Sequence, residues 1–257
     1  MTDRDRIRAF LRESETAVCD DARPVRHGTA LLSPGLPHVW QLNALRVEVP
    51  DADPDRLAEE AEMLQADLGH RKLLVPDPDA GARLAPALAR RGWNVSRLLV
   101  MVKRREPDRP APHGVGAEVD RQAGASALAA FRREQPLDGG SETIRQLAAM
   151  DERFSERVAA RDFAAPPDSG HASCRLFSGH DVGQVDQVGT LRAHRNRGYA
   201  RAAVLAATDA AAAAGLAPVF LVTDAGDWPQ YLYRRLGFDP VDREWEFLKL
   251  PLGSTPP

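Results

Sequence analysis

Apolar and polar positions alternate with period two over residues 39–49 (VWQLNALRVEV), which predicts a half-buried strand. Residues 53–68 switch to helical spacing, opened by Asp53-Pro54 and closed at Gly69. A short strand at 72–75, a helix over about 80–91 and a strand at 96–102 follow. Further on, the pattern predicts a short strand at 116–120 and a helix from Ser141, as N-cap, to about residue 159. Two hairpin strands, 172–177 and 182–191, flank Ser178-Gly179-His180-Asp181. An alanine-rich helix, 198–214, stops at Gly215. A buried strand (218–223), a short helix (228–236) stopped at Gly237 and a strand (241–250) complete the pattern. Strands and helices in this order give an α+β or mixed α/β fold class.

The sharpest break is 104–114 (RREPDRPAPHG), rich in proline and charge and poor in large apolar residues. It reads as a seam, dividing the chain into an N-terminal domain (1–105), a linker (106–114) and a C-terminal domain (115–257). The two sides echo each other. KLLVPD (72–77), a helix and LARRGW (88–93) stand on one side; FLVTD (220–224), a helix and YRRLGF (233–238) stand on the other. The shared Arg-Arg and Gly-aromatic favour an internal duplication over a chance strand-helix-strand match.

Composition narrows the class. A chain of 257 residues, 43% apolar and 28% charged, can bury a core without disulfide or metal staples. A net charge of −3 argues against a nucleic-acid binder. The only cysteines, Cys19 and Cys174, sit in no CxxC or Cys/His cluster, so the expected setting is reducing and cytoplasmic, without a zinc site. The first residues are charged throughout and lack an apolar core, so no secretory signal is expected. Residues 202–222 are mostly apolar, but Asp209, Gly215 and Pro218 interrupt them; the reading is helix, turn and strand rather than a membrane span.

The candidate chemistry lies in VGTLRAHRNRGYARAAV (188–204), where a strand runs into a loop and then a helix. Four arginines (Arg192, Arg195, Arg197, Arg201) and His194 fall within ten residues. Free N–H groups at the helix start, the positive dipole end and Gly198 together make an anion site. Taken alone, the cluster fits a solvated turn with surface arginines equally well.

Arg195-x-x-Gly198-x-Ala200 after a strand, and Leu232-Tyr233-x-x-Leu236-Gly237-Phe238 about thirty residues on, together resemble the GNAT superfamily of acyl-CoA N-acyltransferases. The first matches that family's pyrophosphate loop and the second its Leu-Tyr-x-x-Leu-Gly-Phe helix. The resemblance covers about 116–250 and implies a GNAT fold, in tandem if the N-terminal half is a degenerate copy. It implies acetyl-CoA as cosubstrate and no metal. It further implies that backbone N–H groups of Arg195, Asn196, Arg197, Gly198, Tyr199, Ala200 and Arg201 hold the coenzyme pyrophosphate. Val188, Gly189 and Thr190, on a strand splayed from its neighbour, would pair with the pantetheine arm and stabilise the oxyanion. Tyr233 stands at the general-acid position; the alternative is a core tyrosine. Gly226 departs from the asparagine that many relatives carry, which leaves the pantetheine contacts from this loop open.

A protonated amine acceptor needs a base, since an amine with pKa of about 10.4 is almost fully charged at pH 7. Asp186 is the candidate, two and four residues before Val188 and Thr190 and so expected on their face. An exposed or ion-paired strand carboxylate is the competing reading. Asp224, Asp227, His194 and Glu244 are weaker candidates. In the N-terminal half Leu88 takes the tyrosine position and no pyrophosphate loop leads into a helix, so that half is expected to bind no coenzyme, to extend or cover the sheet and to wall part of the acceptor pocket. The leading reading is transfer of an acetyl group from acetyl-CoA to a primary amine of a small molecule; the alternative is a non-catalytic acyl-CoA-binding module. Nucleic acid and membrane are not expected partners, and exposed sheet edges would allow a homodimer.

Overall fold

The computed structural model describes residues 1–111, 115–137 and 140–250. Its elements are α1 (Asp3–Val18), β1 (Asp21–Val25), β2 (Gly28–Leu32), β3 (Ala44–Val47), α2 (Pro54–Leu64), β4 (Arg71–Val75), α3 (Pro78–Arg90) and β5 (Asn94–Lys103). Then come β6 (Ala117–Val119), α4 (Arg121–Arg133), α5 (Gly140–Arg157), β7 (Ala159–Ala165), β8 (Ala172–Gly179), β9 (Val182–Thr190), α6 (Tyr199–Ala213), β10 (Val219–Asp224), α7 (Pro229–Arg235) and β11 (Phe238–Lys249). Side chains fix several helix starts. Thr2 and Asp5 form a capping box on α1, and Asp53, Asp77 and Asp120 accept from first-turn N–H groups of α2, α3 and α4.

The strands form one mixed sheet in the order β1-β2-β3-β4-β11-β5-β10-β9-β8-β7-β6. The run β1–β2–β3–β4 pairs antiparallel, antiparallel, parallel, and β7–β8–β9–β10 repeats that sequence. At the centre the last strands cross over. β5, from the N-terminal half, lies between β10 and β11, whereas β11, from the C-terminal half, lies between β4 and β5. Each half therefore completes the other's sheet.

Period-two burial sorts the helices onto two faces. Leu99 and Met101 of β5 join the α6–α7 core with Val185, Leu221 and Phe238, while Trp245 and Phe247 of β11 join α2 and α3. Val100, Val102 and Phe220, which alternate with them, pack under Ile7 and Phe10 of α1 on the opposite face. Helices α4 and α5 share that second face.

Several expectations change. Of 39–49 only Ala44–Val47 is strand, and Trp40–Leu42 is a 3-10 turn. Buried Asn43 causes the turn, since its amide donates to Leu36 and Val39 carbonyls and accepts from Ser33 N. Helix α2 stops at Leu64 because the Gln65 amide is bonded in both directions to the Lys72 backbone. Ser141 lies inside α5, which starts at Gly140, so it is not the N-cap; the helix ends at Arg157 where β7 takes over. Helices α1 and α4, the β1–β2 hairpin and β7 had no counterpart in the sequence reading. The seam is also not a free linker. Arg104 and Arg105 N–H groups bond the Gly237 carbonyl, Asp108 N–H bonds the Arg235 carbonyl, and Arg201 holds Asp108 and the Arg109 carbonyl. Residues 112–114 of the seam and 251–257 lie outside the described residues. Residues 202–222 are helix, turn and strand as expected, and among the described residues no helix is long and apolar enough to cross a membrane. Cys19 and Cys174 are buried and free.

Candidate active site

The crossover from β9 to β10 builds the site. The two strands pair only at Val219↔Gly183 and Phe220↔Gln184, then part. Beyond that point β9 has a free flank, and the chain turns through Asn196 (φ 62) and Gly198 (φ 83) into α6. Gly198 is the N-cap and supplies no side chain, so among the described residues nothing caps the N–H groups at the start of α6. The parallel crossover from β3 to β4 ends differently. There Asp53 fills the start of α2, accepting from Asp55 and Arg56 N–H, and Pro54 has no N–H to offer.

The arginine cluster divides. Arg195 and Arg197 are exposed beside the open helix end. Arg201 is not part of that charge: it is buried, and its guanidinium is committed to Asp108 at 2.7 Å and the Arg109 carbonyl at 2.8 Å. Arg192 is held through its N–H by Glu134 Oε2 at 2.6 Å, which ties the loop to the end of α4. His194 stacks on His171 with ring centroids 3.5 Å apart, and burial with the neighbouring His194 and Arg197 lowers the His171 pKa.

A bulge in β9 overturns the expected alignment of Asp186 with Val188 and Thr190. The register passes from Arg175↔Asp186 to Ser173↔Gly189, so Gln187 and Val188 oppose a single residue, and Gln187 takes φ 53. Alternation is shifted by one. Val188 turns to the α6 core, whereas Asp186 looks to the α4–α5 face near Asp151, Arg132 and Arg175. A side chain at Gly189 would strike the Phe131 ring at 2.7–3.0 Å, so glycine lets α4 lie against the opening.

Asp186 sits at the edge of a buried ion network that sequence reading missed. Arg132 pairs with Asp151, and Arg175 Nε pairs with Asp162 Oδ1 at 2.8 Å. Gln187 Nε2 donates to Asp151 Oδ1 at 2.8 Å. Asp186 is the carboxylate without an arginine: it accepts from Gln187 N–H at 2.7 Å and Gln184 Nε2 at 3.4 Å. Burial, and next the Asp151 charge, raise its pKa against the pull of the Gln187 N–H, Arg132 and Arg175. Arg175 inside the apolar run ASCRLF was the available signal for this network.

Tyr233 is buried on α7 among Val188, Leu221 and Phe238, on the α6 face. Among the described residues nothing hydrogen-bonds its hydroxyl. Burial, then the charges of Asp186, Cys174 and Asp227, raise its pKa, so it stays protonated through the physiological range. Of the weaker base candidates, Asp224 is turned to the Gly226 N–H, and Glu244 lies on β11, separated from β9 by β5 and β10. Among the described residues no group of three His, Cys, Asp or Glu side chains could hold a metal ion.

A bulged strand splayed from a parallel neighbour, an uncapped glycine-led helix and a buried tyrosine thus come together at one end of the sheet. Residues 140–238 match the acetyltransferase (GNAT) family. That match covers 99 of the 257 residues, and it supports placing this part of the chain in the GNAT superfamily, with acyl transfer as its class of chemistry. No curated protein matches in sequence. Among solved structures, a functionally unknown conserved protein from Staphylococcus epidermidis is similar at TM-score 0.66 and 14% identity, over 90% of this chain and 95% of that one. A GCN5-related N-acetyltransferase from Kribbella flavida is similar at TM-score 0.60 and 22% identity, over 93% and 94%. A tandem GNAT protein from the clavulanic acid biosynthesis pathway is similar at TM-score 0.52 and 16% identity, over 82% and 76%. These likenesses concern the fold, which is the GNAT fold expected from sequence.

Proposed function

We propose that the protein is a cytoplasmic N-acetyltransferase that moves an acetyl group from acetyl-CoA to a primary amine of a small molecule. The observation that carries this reading is the bare N-terminus of α6 beside the β9–β10 opening, with Tyr233 across it. The Arg195 N–H, expected among the phosphate donors, is turned to the Arg192 carbonyl at 3.4 Å, and the uncapped N–H groups of 196–201 suit a diphosphate, the charge that a helix start and its dipole favour. The free flank of β9 at Val188, Gly189 and Thr190 suits an extended amide-bearing arm, and a backbone N–H there would stabilise the oxyanion of the tetrahedral intermediate.

In this mechanism Asp186 takes a proton from the acceptor ammonium, directly or through a water. Its raised pKa makes it a better base than an ordinary carboxylate. The free amine attacks the thioester carbonyl, the C–S bond breaks, and Tyr233 gives its proton to the departing thiolate. Asp186 faces Asp151, Arg132 and Arg175 whereas Tyr233 packs in the α6 core, which supports a base and an acid that reach the reacting carbon from two sides.

Residues 1–105 are, in this reading, a degenerate copy of the fold, 106–114 the linker, held at Asp108 and Arg109, and 115–257 the part that carries the site. The repeated strand order supports the duplication, and the Asp53 cap with Leu88 at the tyrosine position supports a copy that binds no coenzyme. The sheet edges give little support to a homodimer, because β1 carries Pro24 and β6 spans only Ala117–Val119. Calorimetric titration with coenzyme A, followed by a mass-shift screen of amines with acetyl-CoA, tests the assignment. Absence of coenzyme binding would sink it; binding without any acetylated amine would leave the acyl-CoA-binding module.

A further inference from the structure

Gln187 carries two unfavourable features at once. Its backbone is left-handed, at φ 53, inside β9. Among the described residues, the other non-glycine positions with positive φ are His180, Asp181 and Asn196, which sit in turns and are of the types that tolerate that region. Glutamine is not such a type. The side-chain Oε1 of Gln187 is also buried, and among the described residues no donor reaches it. Reversing the amide would set Oε1 against the Asp151 carboxylate, to which Nε2 now donates at 2.8 Å. A left-handed non-glycine residue and a buried acceptor without a donor each cost stability, and they persist only where the surroundings enforce them.

An ion pair enforces them here. Arg132 of α4 donates to both carboxylate oxygens of Asp151 on α5, and Asp151 in turn holds the Gln187 amide. The bulge then sets two consecutive side chains, Asp186 and Gln187, toward Asp151, which regular strand alternation forbids. From this backbone the Gln187 N–H donates to Asp186 Oδ1 at 2.7 Å.

We propose that Gln187 is the positioning residue of Asp186: Asp151 clamps its side chain, the clamp holds the bulge left-handed, and the bulge keeps the Gln187 N–H on the Asp186 carboxylate, fixing how that carboxylate faces the acceptor. The role of Asp186 as base rests on the acetyl-transfer reading; the contact itself does not, and it is measured without turnover. An N–H on the carboxylate favours its ionised form, so losing that N–H raises the pKa of Asp186 further. The other groups that face Asp186 are Arg132 of α4, Asp151 of α5, Arg175 of β8 and the Gln184 amide on its own strand. Cys174 and Tyr233 feel its charge, and burial raises both of their pKa values. Asp224, the one charged residue of β10, is turned to the Gly226 N–H.

The test is an NMR pH titration of the isotope-labelled full chain that follows the Asp186 carboxyl carbon and the Gln187 amide proton; it needs neither coenzyme nor acceptor. In the wild type the Gln187 amide proton is expected to move downfield as Asp186 ionises, with the same midpoint. Q187M keeps the length of the side chain and removes the amide, so the clamp is lost and the Asp186 midpoint is expected to rise by about 1 pH unit. Q187G loses the clamp as well, but glycine adopts φ 53 unaided, so its midpoint is expected to stay within about 0.3 of the wild type. A merely structural Gln187 would lower the melting temperature of both variants and move neither midpoint. A wild-type Gln187 amide that ignores the Asp186 titration, an unmoved midpoint in Q187M, or equal shifts in Q187M and Q187G would overturn the proposal. The wild-type amide decides the matter should Q187M misfold. None of these readings depends on whether the chain acetylates an amine.

Discussion

Gly198 and Asp53 stand at the same point of two parallel crossovers and treat the helix that follows in opposite ways. Gly198, at φ 83, leaves the start of α6 bare, whereas Asp53 occupies the start of α2 with its own carboxylate. Substituting each separates anion binding from helix capping. Asp53→Ala should lower stability by about 1 kcal/mol in urea unfolding and leave coenzyme A affinity unchanged. Gly198→Asp places a carboxylate and a strained left-handed residue at the open end, and should weaken coenzyme A binding by at least about tenfold in a calorimetric titration. Equal affinity in wild type and G198D would remove the α6 start as the anion site.

Tyr233 offers a clean substitution because its hydroxyl has no partner among the described residues, while its ring packs with Val188, Leu221 and Phe238. Tyr233→Phe should therefore keep stability within about 0.5 kcal/mol and coenzyme affinity within about twofold. Turnover should fall about 100-fold or more, the usual worth of a positioned proton donor. The raised pKa of this tyrosine has a second consequence. Its ionisation should not produce an alkaline limb below pH 10 in the wild-type rate profile.

For Asp186 the sign follows from the requirement that a base be ionised. Its pKa is raised, by burial and then by Asp151, so the acid limb of kcat/KM should sit above the ordinary carboxylate range. Asp186→Asn removes that limb. The rate should then track the free-amine fraction, rising about tenfold per pH unit through neutrality, with the largest loss at low pH. An unchanged profile in D186N would take Asp186 out of the mechanism. Arg132 and Arg175 hold the pKa down, so Arg132→Met should move the wild-type limb upward.

The start of α6 and the helix α7, from which the candidate site is built, were legible because their signals are local. Gly198 before an alanine run and the Tyr-x-x-Leu-Gly-Phe helix each sit within one turn of what they specify. Asp186 was placed on the wrong face because a bulge is invisible to period-two counting: one inserted residue, Gln187 at φ 53, reverses every side chain after it. Helix α1 escaped notice because arginine, aspartate and glutamate crowd its exposed face and dilute the apolar stripe of Ile7 and Phe10, and α4 because it buries mostly small residues, Gly124 and Ala127 beside Leu128. The echo between KLLVPD…LARRGW and FLVTD…YRRLGF pointed to equivalent units. It carried no sign that β5 and β11 would change places, because strand exchange depends on pairing between segments more than a hundred residues apart.

That exchange leads to the last prediction. β5 pairs with β10 from Phe220↔Val102 to Asp224↔Leu98 and with β11 from Phe238↔Lys103 to Leu248↔Asn94. A fragment of residues 106–257 keeps every residue proposed for chemistry but loses the strand between β10 and β11. Both strands would then expose unpaired N–H and C=O groups along apolar edges carrying Phe220, Leu221, Phe238 and Phe247, the condition that drives edge-to-edge association. The fragment should run as an aggregate or a strand-exchanged dimer in size-exclusion chromatography and show a poorly dispersed amide spectrum. Supplying residues 94–103 as a peptide should restore dispersion and coenzyme A binding, since β5 needs no covalent link to fill its place. A monomeric, well-dispersed fragment 106–257 that binds coenzyme A unaided would mean that the C-terminal half folds independently and that the central strand pair is dispensable.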